Sequence, residues 1–161
     1  LPYFLPPEYA AIQYLVTACL LGPLFYTLSE TTAIGITIAR KTKLSMLASI
    51  GAMTINVFGN YILVPRMGAI GAAVSTAFSF WVFYILRTEL SRLVWRNMPS
   101  SKAYLLTTLL LVVTIIHSVF LKSNNSAIVV WCGLFLIGCF VFKESVKMVV
   151  EKISEIYAKK I

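Results

Sequence analysis

A single carboxylate lies deep inside a long apolar segment of this sequence. Glu30 is followed by nine uncharged residues, and the next basic residue is Arg40. At a rise of about 1.5 Å per helical residue, Glu30 lies about 15 Å from Arg40, near the middle of a bilayer. An ionisable side chain at that depth should face a water-filled cavity or a partner. Glu30 is therefore a candidate for proton coupling or substrate contact. The alternatives are a structural pair with another helix, or a protruding helix that leaves Glu30 among the headgroups.

Two amides follow at helical spacing. Asn56 and Asn60 are four residues apart, and Ser45 and Ser49 fall close to the same helix face. Amides within a membrane helix need hydrogen-bond partners, so this face should point into the helix bundle or toward a cavity. Two interpretations stay open for Asn56 and Asn60: they contact a substrate, or their hydrogen bonds fix the packing of helices.

The fourth candidate is a basic residue in a short turn. Arg66 is expected at the opposite membrane face from Arg40, because one apolar span separates the two residues. A guanidinium matches the oxygen geometry of phosphate, so Arg66 is a candidate to meet a pyrophosphate group. The alternative is an ordinary charge at the membrane interface.

The same turn contains strong helix-breaking signals. Pro65 lacks an N–H group, which predicts that the preceding helix ends near Val64. Gly68 and Gly71 provide the backbone freedom that a reversal of about four residues requires. Small residues then recur every four positions, in rows that include Gly68, Gly71, Ala72 and Ala73. Such rows allow two membrane helices to pack closely.

The composition indicates a membrane protein. Hydrophobic residues make up 59% of the chain and charged residues 12%. The apolar runs predict an all-α, polytopic bundle of about five transmembrane helices, at residues 8–39, 44–64, 69–86, 103–121 and 127–142. A kink is expected at Pro23, within the long first span. The net charge of +8 does not indicate nucleic-acid binding, because the basic residues lie between apolar spans.

The distribution of basic residues predicts the orientation. If the spans alternate, twelve of the fourteen basic residues lie on one side of the membrane, partly in a polar connector at residues 87–102. The positive-inside rule places that side in the cytoplasm. Residues 143–161 combine lysines with apolar positions at helical spacing, which predicts an amphipathic cytoplasmic tail on the inner leaflet. We therefore expect a multi-pass protein of the cell (cytoplasmic) membrane.

The sequence offers little for metal, cofactor or enzymatic chemistry. Cys19, Cys132 and Cys139 lie inside apolar spans without C-x-x-C spacing, so neither a disulfide nor a metal site is expected. His117 is the single histidine, and the chain contains no aspartate. Since acid–base catalysis normally gathers such groups in one place, we expect no enzymatic activity and no cofactor.

Residues 56–76 carry a resemblance to a known family. These residues follow the pattern N-x-x-x-N-x-x-L-V-P-x-x-G-x-x-G-A-A-x-S-T. The pattern resembles the helix-loop-helix late in polysaccharide (O-antigen or lipid-linked oligosaccharide) flippases. These flippases and the multidrug and toxin extrusion (MATE) transporters belong to the multidrug/oligosaccharidyl-lipid/polysaccharide exporter superfamily. The start of the chain is similar to this family too, with P-P-E-Y-A before the long first span and R-K-T-K after it. The resemblance covers residues 5–90, and the remainder by hydropathy alone.

The resemblance implies a transporter that flips a lipid-linked oligosaccharide for cell-surface polysaccharide synthesis. It implies a cavity that opens alternately to each side, with basic residues that receive the pyrophosphate. The expected partners are this substrate, the lipid bilayer and the missing N-terminal helices of the same transporter, because a chain that starts at Leu1 is expected to be a C-terminal part. Asn56 falls in the family motif, which favours a structural role at least as much as substrate contact.

Three other functions remain as alternatives. A MATE-type multidrug or cation antiporter would share the helix-loop-helix but usually has a less basic inner connector and no amphipathic tail. A membrane enzyme acting on polyprenyl-linked sugars would need acids, histidines or arginines gathered in a substantial loop, and no D-x-D motif occurs. A structural membrane subunit would explain the rows of small residues but not a carboxylate at the bilayer midplane.

Overall fold

The computed structural model describes residues 12–96, 100–119, 124–143 and 147. These residues form helices and short connections, and no strand occurs among them. The helices, in chain order, are α1 (Ile12–Thr32), α2 (Ile34–Ile38), α3 (Thr42–Met67), α4 (Ala69–Val94), α5 (Ser101–Val119) and α6 (Asn124–Val141). The predicted all-α class is therefore confirmed. Helices α1 to α5 belong to one compact unit, residues 1–122, and α6 belongs to a second, residues 123–161.

Three helices within the described residues are long and apolar enough to cross a membrane. They are Thr42–Met67, Ala69–Val94 and Ser101–Val119. A helix of 26 residues is about 39 Å long, which exceeds a hydrocarbon core of about 30 Å. The protein is thus membrane-embedded. The predicted tail at residues 143–161 falls outside the described residues, except for 143 and 147.

The predicted first span differs from the structure near its C-terminal end. α1 contains Pro23 and ends at Thr32, and α2 begins at Ile34, so the segment is not one continuous helix. Hydroxyl groups bond to backbone carbonyls just before the break. Thr32 Oγ1 donates to the carbonyl oxygens of Leu28 and Ser29, at 3.4 and 3.2 Å. Such side-chain bonds compete with the backbone ladder of a helix.

The reversal between α3 and α4 is also tighter than predicted. α3 does not end near Val64 but continues through Pro65 to Met67, because a proline in the last turn removes only one backbone hydrogen bond. Gly68 alone separates the two helices, with φ 57° and ψ −133°, and its N–H donates to Val64 O at 2.8 Å. A positive φ of this kind strains residues that have a Cβ.

α4 is the central helix of the first unit. Its neighbours are α1, α2, α3 and α5. The backbones of α3 and α4 approach closely at the turn, where a Cβ placed on Gly71 would lie 2.5 Å from the carbonyl oxygen of Leu63. Ala73 is buried on the same helix and Ala72 is partly buried. On the other side of α4, a buried cluster joins it to α1 and α5; its members are Leu21, Phe25, Ala77, Tyr84 and Leu111.

Candidate functional site

A cleft of about 390 Å³ lies between α1, α3 and α4. We call it the α1/α3/α4 cleft. Its walls combine aromatic rings, small or flexible apolar side chains, hydroxyls and one amide, and are formed by Tyr26, Ser49, Ala52, Met53, Asn56, Thr76, Ser79, Phe80 and Phe83. Cavities of about 300–1,000 Å³ with apolar walls and a few polar groups are typical ligand sites.

Asn56 is the amide at this cleft. Its Nδ2 donates to Ser79 Oγ at 2.9 Å and to Thr76 Oγ1 at 3.3 Å, which ties α3 to α4. Its Oδ1 accepts a hydrogen bond from Asn60 Nδ2 at 2.9 Å. Ser75 Oγ adds a bond to the Asn56 carbonyl oxygen at 3.1 Å. Asn56 therefore lines the cleft and fixes the helix pair at the same time.

Asn60 lies one helical turn beyond Asn56. Its Nδ2 donates to Asn56 Oδ1, whereas its own Oδ1 is buried and has no hydrogen-bond partner among the described residues. Asn60 is not among the residues that line the cleft. Of the two predicted amides, only Asn56 is thus placed to touch a molecule in the cleft.

Glu30 pairs with a basic residue of α4. Arg87 Nη1 donates to Glu30 Oε1 at 2.5 Å, and Nη2 donates to Oε2 at 3.4 Å. Nη1 also donates to Ser29 Oγ at 3.1 Å. Two parallel bonds between a guanidinium and a carboxylate fix geometry as well as charge. Glu30 therefore has the partner that an ionisable group within an apolar helix requires.

Aromatic residues connect this ion pair to the cleft. The guanidinium of Arg87 lies over the ring of Phe83, 5.2 Å from its centroid. Tyr26 stacks on the same Phe83, with the ring centroids 6.2 Å apart and the planes 6° from parallel. Because Phe83 and Tyr26 both line the cleft, a change in the ion pair can reach the cleft wall through direct contacts.

Arg87 is the site residue that the sequence pattern misses. The pattern predicts a polar connector that starts at residue 87, but α4 continues to Val94 and Arg87 is buried. No spacing signal in the sequence reveals it, because Glu89, Arg92 and Arg96 follow Arg87 within nine residues, whereas Glu30 is followed by nine uncharged residues.

Arg66 lies apart from these groups. It is exposed in the last turn of α3, whereas Glu30 lies in the last turn of α1, which leads through α2 to the first turn of α3. The two residues are therefore at opposite ends of the unit. The turn residues Pro65 and Gly68 share the end that holds Arg66, and the structure does not bring them to the cleft.

Metal-ligating groups do not cluster in the part of the chain that the structure describes, where no group of three or more His, Cys, Asp or Glu could hold an ion. Cys19, Cys132 and Cys139 are free thiols.

Comparisons with protein-family models, with curated proteins and with solved structures find no match to this chain. The chemistry of the cleft and of the ion pair is therefore the basis for a functional assignment.

Proposed function

We propose that this chain forms part of a membrane transporter that flips a lipid-linked oligosaccharide across the cytoplasmic membrane for cell-surface polysaccharide synthesis. The observation that carries the proposal is the α1/α3/α4 cleft, in which aromatic rings and an amide line one space inside a membrane-embedded bundle. The resemblance of residues 56–76 to polysaccharide flippases points the same way.

The walls of the cleft suit a sugar. Tyr26 and Phe80 offer ring faces on which the C–H face of a sugar ring can pack, whereas Phe83 is buried beneath Tyr26 and Arg87 and supports the wall. Asn56, Ser49 and Thr76 offer donors and acceptors to its hydroxyl groups. A few polar groups among apolar walls fix the orientation of a ligand while the walls exclude water.

The ion pair beside the cleft supplies a second element of the proposal. Arg87 is held by Glu30, so its guanidinium can meet a phosphate only after that bond opens. Protonation of Glu30, or competition from an anionic substrate, would open it. In this proposal Glu30 keeps Arg87 neutralised while the site is empty.

The partners follow from the exposed faces. Large apolar side chains of α3 are exposed in the part of the chain that the structure describes, among them Val57, Phe58 and Tyr61. Only 11% of the apolar stretch of α3 is buried within this chain. We assign this face to lipid and to N-terminal helices of the same transporter, and we place the basic connections and the C-terminus in the cytoplasm.

The test is complementation of a flippase-deficient strain with the full-length gene. Wild type should restore surface polysaccharide, and Glu30→Gln should reduce it at matched membrane levels. Lys102→Gln serves as the control, since it removes an exposed charge in the first turn of α5 that does not line the cleft. Failure of wild type to restore polysaccharide would refute the flippase. Equal rescue by wild type and Glu30→Gln would make Glu30 structural.

A second candidate is a MATE-type exporter of lipophilic cations. The observation that favours it is the half-exposed carboxylate of Glu30 near an aromatic cleft, since a cation can bind both groups. Expression of the full-length gene in a drug-sensitive strain separates the two functions. Drug resistance without polysaccharide rescue would select the exporter.

A further inference from the structure

The end of the first unit that holds the α2–α3 connection concentrates exposed cations. Arg40, Lys41 and Lys43 follow α2, and Arg96 follows α4. We call these four residues the basic cluster. All four are exposed. Within the described ranges the ion pairs involve Arg87 and Arg92, so none of the four is paired with an acid there.

Direct packing brings the two parts of the basic cluster to the same end. Gly35 in α2 lies so close to α4 that an added Cβ would be 2.8 Å from the Cβ of Trp95. Arg96 follows Trp95 and lies over its ring, 5.0 Å from the centroid. Arg40 comes directly after the last turn of α2. The cations after α2 and after α4 therefore share one surface.

Exposed apolar side chains border these cations. Leu93 is 79% exposed and Trp95 is 41% exposed, and Ile34 and Ile38 of α2 are exposed by half or more. Tryptophan and basic residues next to apolar surface are the pattern of a helix end at the membrane–water interface. The apolar groups would enter the acyl region while the cations meet the headgroups.

Arg40 has an unusual backbone for a residue with a side chain. Its φ is 54°, the one positive φ of a non-glycine residue among the described residues. Its N–H donates to Thr37 O, and the N–H of Lys41 donates to Ile36 O, both at 3.1 Å. This is the helix-ending motif in which glycine normally occupies the left-handed position. The chain keeps an arginine where glycine would be unstrained.

We propose that the basic cluster is a binding site for the headgroups of anionic phospholipids, with Arg40 as its main phosphate contact. Charge complementarity selects this partner, because the four exposed cations, none of them paired with an acid within the described ranges, lie beside exposed Leu93 and Trp95. A guanidinium donates two parallel bonds to a phosphate, which a lysine cannot do. This site is independent of the transported substrate and lies apart from the α1/α3/α4 cleft.

The test measures lipid binding and stability on the same variants. The full chain in detergent is titrated with phosphatidylglycerol and with phosphatidylcholine of the same acyl chains, and bound lipid is counted by native mass spectrometry. Arg40→Gly and Arg40→Gln should each weaken phosphatidylglycerol binding about five-fold, since a basic residue at a membrane surface contributes about a factor of that size. Binding of phosphatidylcholine should not change.

Arg40→Gly should change thermal stability and lipid binding in opposite directions, which makes the test specific. Arg40→Gly should raise the melting temperature without lipid, because it removes the strain at φ 54°, while it lowers lipid binding. Arg40→Gln keeps the strain and should lower lipid binding alone. Arg40→Lys should retain part of the binding. Arg66→Gln, which removes an exposed charge at the other end of α3, is the matched control.

Three results would overturn the proposal. Wild-type phosphatidylglycerol binding in both Arg40→Gly and Arg40→Gln would exclude Arg40 as a contact. An equal loss in Arg66→Gln would indicate a general effect of net charge. Displacement of the lipid by millimolar inorganic phosphate would identify a site for free phosphate rather than for a membrane headgroup.

Discussion

Arg87 and Glu30, which are 57 residues apart in the sequence, form an ion pair in which the arginine is buried and the glutamate is half-exposed. The side chain of Arg87 is 10% exposed, whereas that of Glu30 is 49% exposed. Ser29, which is fully buried, accepts a further bond from Arg87, and Thr32 and Thr88 share a hydroxyl bond of 2.7 Å one turn away. The energetic consequences of losing the two partners should therefore differ.

Loss of the Glu30 charge should destabilise the bundle. In Glu30→Gln the guanidinium of Arg87 stays buried without a counter-charge. Because Glu30 is half-exposed, we expect the free energy of unfolding to fall by about 1–3 kcal/mol, the penalty of a buried polar group that loses its partner. Arg87→Gln leaves a half-exposed carboxylate that water can solvate, so its effect should be smaller. Denaturant titration of the purified chain in detergent, followed by circular dichroism, measures both.

The double variant isolates the coupling between the two charges. Glu30→Gln combined with Arg87→Gln should be less destabilised than the sum of the single variants. The matched control is Glu89 and Arg92, a pair three residues apart on α4 whose arginine is 29% exposed rather than 10%, so this pair should couple less strongly. Additive effects at Glu30 and Arg87 would contradict the ion pair.

The turn between α3 and α4 leads to a second prediction. Gly71→Ala should weaken the helix pair by about 1–3 kcal/mol, because the new Cβ would collide with the backbone carbonyl of Leu63, which cannot rotate away. Gly133→Ala is the control, since no described atom beyond the backbone of its own helix and its chain neighbours lies within 4 Å of the added Cβ. Unfolding of both variants in a denaturing detergent gives the comparison, and equal stabilities would contradict the close approach.

The sequence predicts the class of the fold and one member of the ion pair, Glu30. The charge-free surroundings of Glu30 show that it needs a partner or a cavity, because burial of a lone charge is costly in any fold. They do not reveal which helix supplies that partner. In the sequence, Arg87 follows an aromatic-rich stretch and is the first residue of the predicted polar connector. Only the packing of α4 against α1 shows that Arg87 is buried.

The helix ends were less predictable than the helices. Pro65 indicates a break, but one missing hydrogen bond is offset by the packing of the last turn of α3 on Gly71. The interruption at Ala33 has no proline or glycine at the break itself. Hydroxyls of Ser29 and Thr32 bond back along α1, but the same bonds occur within the continuous helix α5, so no local signal marks the break. Local sequence signals compete with tertiary contacts at such places, and the contacts determine the result.

Asn56 provides a third prediction. Asn56→Leu should lower the free energy of unfolding by about 1–3 kcal/mol, because Ser79, Thr76 and the amide of Asn60 would all lose a partner. Ser79→Ala removes one of these bonds and should have a smaller effect. Thermal melts in detergent check the order, and a leucine variant as stable as wild type would show that the network contributes little.

Filling the cleft should separate transport from stability. Ala52 lines the α1/α3/α4 cleft and makes no side-chain hydrogen bond, so Ala52→Phe should reduce transport at least ten-fold by occupying the space of a ligand. Leu105→Phe adds a ring to the exposed face of α5, where Leu105 is 64% exposed, and should leave transport near wild type. Complementation of polysaccharide export at matched membrane levels measures both variants, alongside melting temperatures within a few degrees of wild type. Full activity of a folded Ala52→Phe protein would place the substrate pathway elsewhere in the transporter. Equal loss in Leu105→Phe would indicate a general effect of an added ring rather than the filling of the cleft.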